Sequence, residues 1–257
     1  MTESGLVSVS FRNLLCEEII TLAKSNGLTH IEWGGDIHIP AGNTKKADEI
    51  YKKTTEAGLQ TAAYGSYFKL GEYTDYIAEF KKVLETAATL HAPVIRIWAG
   101  TEPSSKVASD ERKQLVLQAK EVAKLCSQHG ITVCFECHRN TLTDDFRSSL
   151  LLMNEINMSN VKMYFQPNEE RNFEYNKKAL EELLPYVVNT HVFNWPEPGI
   201  RKHLNDARNE WAEYLNILSK DEKMHCCMLE FMPDDRTESL KEEAATLNEI
   251  IKTLNNR

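Results

Sequence analysis

The sequence has no apolar run approaching the roughly 18 residues of a membrane-spanning helix. Its first residues, MTESGLVSVSF, carry no basic stretch ahead of an apolar one, so a secretory leader is not expected and a cytoplasmic location is. A basic footprint is missing too. Lys and Arg number 30 against 38 Asp and Glu, a net charge of −8. That argues against a nucleic-acid backbone as partner, because phosphates are bound by clustered cations, though a few local Arg or Lys could still hold a small anion. The turn after the first strand-like run, SFRNLLCEE, contains no glycine, which counts against the phosphate-cradling turn of a dinucleotide fold. A disulfide framework is not indicated either. The six cysteines are spread over 257 residues, several inside strand-like segments, as reduced core residues are. Cys134 and Cys137 form a CxxC, but on an extended chain residues three apart face opposite sides. No linker, low-complexity tract or second domain interrupts the chain.

What is present is a 42% hydrophobic composition arranged as an alternation of short apolar runs and amphipathic stretches. Strands are predicted over 6–12, 29–34, 60–67, 93–100, 131–138, 161–166, 188–194 and 225–231. Helices are predicted over 14–26, 44–57, 74–91, 108–129, 143–157, 176–186, 205–220 and 237–254. In the fourth helix Ser109 can cap the start and Gly130 ends it. Strict β-α alternation implies parallel strands joined by right-handed crossovers. Eight such units predict an α/β fold, a single-domain (β/α)8 TIM barrel over 1–257, in preference to an open doubly wound sheet.

Barrel strands favour branched apolar residues, and four of the last strands break that rule near their C-terminal ends, with Glu136, Gln166, His191 and Glu230. Active sites of this fold lie at that end. Alternation places Cys134, Glu136 and His138 on one face of their strand, Lys162, Tyr164 and Gln166 on one face of theirs, and Cys226, Met228 and Glu230 on one face of the last. Strands lie about 4.8 Å apart, so the four side chains can converge. Two carboxylates, an imidazole and an amide oxygen suit one divalent metal ion, Mn²⁺, Mg²⁺, Co²⁺ or Zn²⁺. Without a cation, two inward carboxylates would repel each other.

The order FECH, YFQ, THVFNW and LEF resembles the xylose isomerase-like TIM-barrel superfamily (sugar phosphate isomerase/epimerase, AP endonuclease 2 family). ECHRNTLTD at 136–144 is similar to its E-x-H-x-x-T-x-x-D segment, and SFR, GSYFKLG and IRIWAG are similar to its strand ends. The resemblance implies that Glu136 and Glu230 bind the metal and act as an acid–base pair. Glu230 would take a proton from the carbon next to a carbonyl, and Glu136 would return it. His138 would orient a ligand or touch a substrate hydroxyl. The chain departs from the pattern at Gln166, where many members carry Asp, and at Glu169, where the His of a D-x-x-H would fall. Both departures count against an endonuclease.

Other residues can read a substrate. Glu32 ends the second strand, Tyr64 and Tyr67 the third, and Trp98 shares a face with Arg96 on the fourth. Aromatic walls with a few polar groups suit a carbohydrate. Trp98 fits a core role as well, and Arg96 can pair with an interior carboxylate. On the loop NWPEPGIRKHLND, Arg201 fits either an anion clamp or a solvated surface cation. The expected activity is a metal-dependent sugar or sugar-phosphate isomerase or epimerase working through an enediolate on a small carbohydrate. The alternatives are a dehydratase of the 3-dehydroshikimate or inosose type and a binding barrel without catalysis. A homo-oligomer is admitted but not required.

Overall fold

The computed structural model describes residues 2–221 and 223–255. Its strands are β1 (Thr2–Val7), β2 (His30–Gly34), β3 (Gln60–Lys69), β4 (Val94–Trp98), β5 (Thr132–Glu136), β6 (Val161–Phe165), β7 (Val187–Val192) and β8 (His225–Leu229). The helices that follow them are α1 (Cys16–Ser25), α2 (Thr44–Glu56), α3 (Tyr76–Thr89), α4 (Ser109–Ser127), α5 (Phe146–Ile156), α6 (Phe173–Leu183), α7 (Arg208–Leu218) and α8 (Leu240–Asn255). All strand pairs are parallel and the sheet closes in chain order, β8 beside β1. This is the (β/α)8 barrel that the alternation predicts.

Each strand is buried on both faces, and its two faces feed two apolar clusters. Val7, Val94, Cys134, Tyr164 and Met228 pack with one another inside the barrel. Their strand neighbours Leu6, Ile95, Val133, Phe135, Met163 and Leu229 join the larger cluster under the helices. Several helices start where a short polar side chain accepts a free backbone N–H: Asn43 for α2, Asp75 for α3, Asp145 for α5 and Asn172 for α6. Each such cap is worth about 1 kcal/mol. Helix α4 starts differently from the expectation. Ser109 is its first helical residue, Ala108 holds the cap position, and no side chain caps it. Gly130 does lie just beyond its end, with φ +67°.

The first strand is also displaced. It covers Thr2–Val7, and Ser8–Phe11 is a 3₁₀ turn. The alternation V-S-V-S-F imitates a strand, but the two hydroxyls tie loops instead. Ser8 Oγ accepts from Gly34 N and Ser10 Oγ accepts from Phe231 N, each at 2.9 Å. All six cysteines are unpaired. Cys134 lies in the inner cluster and Cys137 against the outer one, so the CxxC pair does face opposite sides. Among the described residues no helix is long and apolar enough to cross a membrane.

Candidate metal centre

Glu136 is the last residue of β5, His191 lies near the end of β7, and Gln166 and Glu230 each follow the end of their strand by one residue. Because β5, β6, β7 and β8 are neighbours, these ends meet. Ligand atoms of Glu136, His191 and Glu230 lie within 4.8 Å of one another, and all three residues are buried. His191 Nδ1 is at the middle of the group, 2.8 Å from Gln166 Oε1. Glu136 Oε1 and Glu230 Oε2 each stand 3.5 Å from the same nitrogen. Three oxygens from three strands thus surround one nitrogen.

The loop after β5 is held by its own threonines, which explains the form of ECHRNTLTD. Thr143 Oγ1 donates to Glu136 O at 2.5 Å, and Thr141 Oγ1 donates to His138 O at 2.7 Å. After β8, Glu230 N donates to Val192 O at 3.0 Å, and Phe231 then adopts φ +50°. Tyr67, across the mouth, has φ +59°. Left-handed backbone is uncommon for bulky side chains, and such strain gathers at functional sites.

The interior charges are strongly coupled. Burial opposes ionisation of Glu136, but Arg96, and after it His191, outweigh burial and hold its carboxyl well below the usual range. Glu32 is likewise lowered, to about 2, because Arg96 and His191 overcome its burial. Glu230 moves the other way, to about 7, through burial and then the charge of Glu136, which together exceed the pull of His191. Burial disfavours His191 as a cation, yet Glu230 and Glu32 raise it to about 10. The two carboxylates that face each other are therefore driven apart, as in sites that assign one acid and one base.

These residues fit a divalent cation. The donors are three oxygens and one nitrogen, a set suited to borderline or hard ions. The charge also balances. The interior holds three carboxylates (Glu32, Glu136, Glu230) and one guanidinium (Arg96), so with neutral His191 a dication brings the sum to zero. An Asp at position 166 would leave one negative charge in excess, and Gln166 does not.

The other residues singled out from the sequence are distributed unevenly. Glu32 and Arg96 are 0% and 2% exposed. Arg96 Nε donates to Glu32 Oε1 at 2.7 Å and its Nη1 donates to Glu136 Oε2. Both are buried, and Arg96 is paired with interior carboxylates, the alternative reading of that residue. Tyr64 is displaced from its expected place. It packs in the outer cluster, where its hydroxyl donates to Ile39 O at 2.7 Å. On β3, Ala63 and Tyr67 pack with the inner cluster and Gly65 faces Glu32 and Arg96.

Trp98 and His138 do reach the mouth. Trp98 Nε1 donates to Glu136 Oε2, and its ring lies 4.8 Å from the His138 ring and 5.3 Å from Tyr67. His138 Nδ1 is 2.7 Å from Arg139 O. A carbonyl only accepts, so Nδ1 carries a proton, and in the neutral ring the lone pair lies on Nε2. Arg201 sits on the rim over Phe231 at 4.6 Å and Trp195 at 5.4 Å, paired with Asp235. Glu169 pairs with Arg139 at 2.7 Å and stays outside the cluster. Lys69, which the strand pattern did not single out, lies over Trp98 at 5.3 Å. A cavity of about 220 Å³ lies beside the ends of β5 and β6 and is lined by His138, Gln166, Glu169 and Trp195 among others.

The xylose isomerase-like TIM barrel family model matches residues 20–250, and the chain belongs to that family. It is 29% identical over 177 residues to a 3-dehydroshikimate dehydratase from Bacillus anthracis, an alignment covering 62% of this chain and 59% of that protein. The chain thus spans less than two thirds of that relative's length. In fold it is similar to a probable 3-DHS dehydratase involved in petrobactin synthesis in Bacillus anthracis, with a TM-score of 0.80, 22% identity, and coverage of 96% of this chain and 99% of that one. It is also similar to a D-psicose 3-epimerase from Clostridium cellulolyticum H10, with a TM-score of 0.74, 14% identity, and coverage of 98% and 99%. Barrels of the same fold are known with magnesium, from Mycobacterium smegmatis, and with zinc, at 13% and 15% identity and TM-scores of 0.72.

Proposed function

We propose that the protein is a metal-dependent dehydratase acting on a small, hydroxylated cyclic ketone of the 3-dehydroshikimate type. The observation that carries this is the convergence of Glu136, His191 and Glu230 at the barrel mouth, in a chain 29% identical to a dehydratase over 177 residues. Glu136, Gln166, His191 and Glu230 would hold a divalent ion, which supplies polarisation of a carbonyl oxygen and stabilisation of enolate charge.

The remaining steps fall to the chain's own side chains. Glu136 has one oxygen tied by Arg96 and Trp98, so it is a poor shuttle for protons. His138 has its tautomer fixed by Arg139 O, and its free Nε2 can accept the proton from the carbon beside the carbonyl. The electron pair left there forms the new carbon–carbon double bond as the hydroxyl on the next carbon departs. Protonated His138 or Glu230 returns a proton to that hydroxyl, so water leaves. Trp98 and Tyr67 offer apolar faces to a flat ring, and Arg201 on the rim would take a carboxylate.

A second reading, a sugar 3-epimerase, is favoured by one specific feature: Glu136 and Glu230 face each other at equal distances from His191, as a two-sided proton exchange would require. The two readings separate in one set of assays on Mn²⁺- or Co²⁺-loaded protein. With 3-dehydroshikimate, a dehydratase produces growing ultraviolet absorbance. With a ketose panel in D₂O, an epimerase washes deuterium into C3. A preparation that binds no Mn²⁺, Co²⁺ or Zn²⁺ would sink both.

A further inference from the structure

Behind the candidate ligands runs a buried set of linked charges. Glu32 is fully buried and divides its two oxygens. Oε1 accepts from Arg96 Nε at 2.7 Å, and Oε2 stands 3.3 Å from His191 Nε2. Arg96 passes the connection on through Nη1 to Glu136 Oε2, which also accepts from Trp98 Nε1. Each contact consumes the atom that faces away from the cluster. His191 keeps Nδ1 toward Gln166, Glu136 and Glu230, and Glu136 keeps Oε1 there.

The backbone leaves room for this arrangement. A Cβ at Gly65 would lie 2.5 Å from Glu32 Oε1 and 2.7 Å from Arg96 Nη2. A side chain at this position on the inner face of β3 would push the Glu32 carboxylate and the Arg96 guanidinium aside, so the glycine is the space in which the ion pair sits.

We infer that Glu32, acting directly on His191 and through Arg96 on Glu136, is the positioning residue of the metal centre, and that Gly65 is its steric counterpart. The inference rests on the metal reading above. Nδ1 faces only acceptor oxygens, so an ion there would take the place of the proton shared with Gln166 Oε1, while Glu32 holds the other proton of His191 on Nε2. A carboxylate behind a histidine ligand orients the ring and raises its basicity, and loss of such a partner typically weakens metal binding about 10- to 100-fold. Glu32→Gln is the informative change. The side chain keeps its shape but turns an NH₂ donor toward either Arg96 or His191, so one of the two contacts becomes donor against donor.

The test is a Co²⁺ titration of the wild type, Glu32→Gln, Gly65→Ala and Met228→Ala, followed by visible absorption. Met228→Ala is a packing control: Met228 contacts neither Arg96 nor Glu136 and reaches Glu32 only through the Tyr164 hydroxyl. The expected result is a Kd raised about 10- to 100-fold in Glu32→Gln and Gly65→Ala and unchanged in Met228→Ala. A second measurement uses the wild type alone. In Zn²⁺-loaded protein, ¹⁵N-detected histidine spectra should place the His191 proton on Nε2. A wild type that binds Co²⁺ beside a Glu32→Gln that binds it equally well overturns the positioning role and leaves the metal centre standing. A proton on Nδ1 of the Zn²⁺-loaded protein does the same. A wild type that binds no Co²⁺ removes the metal centre itself, and this role with it.

Discussion

Inside the barrel, two layers lie only two residues apart on the same strands. The lower one holds Val94, Cys134, Tyr164 and Met228. The upper one holds Arg96, Glu136, Gln166 and Glu230. On each of these strands the direction is the same, yet the chemistry inverts. The lower layer closes the fold through dispersion and loss of apolar surface to water. The upper layer forgoes that stabilisation, and its members are tolerable only as a set in which every charge has an opposite. Tyr164 is the seam between them. Its hydroxyl lies 3.6 Å from Met228 Sδ, and its ring centroid is 4.7 Å from His191. A substitution above the seam should therefore act on metal and turnover, and one below it on stability alone.

The sharpest separation should come from Glu230→Gln. It keeps the shape, removes a ligand charge and removes a proton-transfer group. Turnover of whichever substrate is established should fall by about 10²- to 10⁴-fold, the usual weight of a positioned acid or base, with the thermal midpoint little changed. A variant that retained a tenth of wild-type activity would dissolve the distinction between the layers.

Arg96→Met tests how far the upper layer depends on charge closure. It leaves Glu32 and Glu136 buried without their shared cation, and removing one partner of a buried pair typically costs about 3–5 kcal/mol. Urea unfolding should register that loss in the metal-free protein, and a smaller one with Mn²⁺ present, because a dication at Glu136 replaces part of the missing charge. Equal losses in both states would mean that the upper layer is held by packing, as the lower one is.

Much of this contrast was legible in the sequence. The strand count and the barrel follow from alternation, and so does the meeting of Glu136, His191 and Glu230 at neighbouring strand ends, because several ligand-type side chains on adjacent strands point to one place. Glu32 was legible as polar but not in its role. A residue that contacts ligands from below and one that contacts substrate from above look alike until depth is known. Tyr64 failed through parity, since β3 carries register shifts on both flanks that alternation alone does not announce. The first strand failed because serines that tie loops at 8 and 10 reproduce the period of a strand. Gly65 carried no visible signal, as the space it leaves matters only once Glu32 and Arg96 are in place.

Below the seam, Met228→Ala should cost about 2–5 kcal/mol, the range for truncating a buried methionine. Met228 is fully buried in the inner cluster. Urea unfolding would measure the loss, and Co²⁺ affinity should stay at the wild-type value. A weakened affinity would show that packing below the seam sets the ligand geometry above it.

The smallest effect concerns two inward positions of one strand, His30 at the start of β2 and Glu32 above it. His191, among carboxylates, is raised by its neighbours despite burial. His30 is lowered, because burial outweighs the pull of Glu3, and His38 is lowered chiefly by burial as well. In the unfolded chain both titrate near about 6.5, so over the window just below that value the unfolded state holds more protons than the folded one. Stability from these two histidines is therefore complete above that pH and declines as the pH falls from it toward their lower folded values. Each contributes at most one proton, a slope of about 1.4 kcal/mol per pH unit. His191 and Glu230, both raised, act in the opposite sense over this window, so the check is a difference in urea midpoints: between pH 7.5 and 5.5 the wild type should lose more stability relative to His30→Gln as the pH falls. Coincident slopes would mean that His30 keeps the same proton affinity folded and unfolded. The lower end of the barrel would then be wet, and the difference between the layers would lie in their charges and not in their exclusion of water.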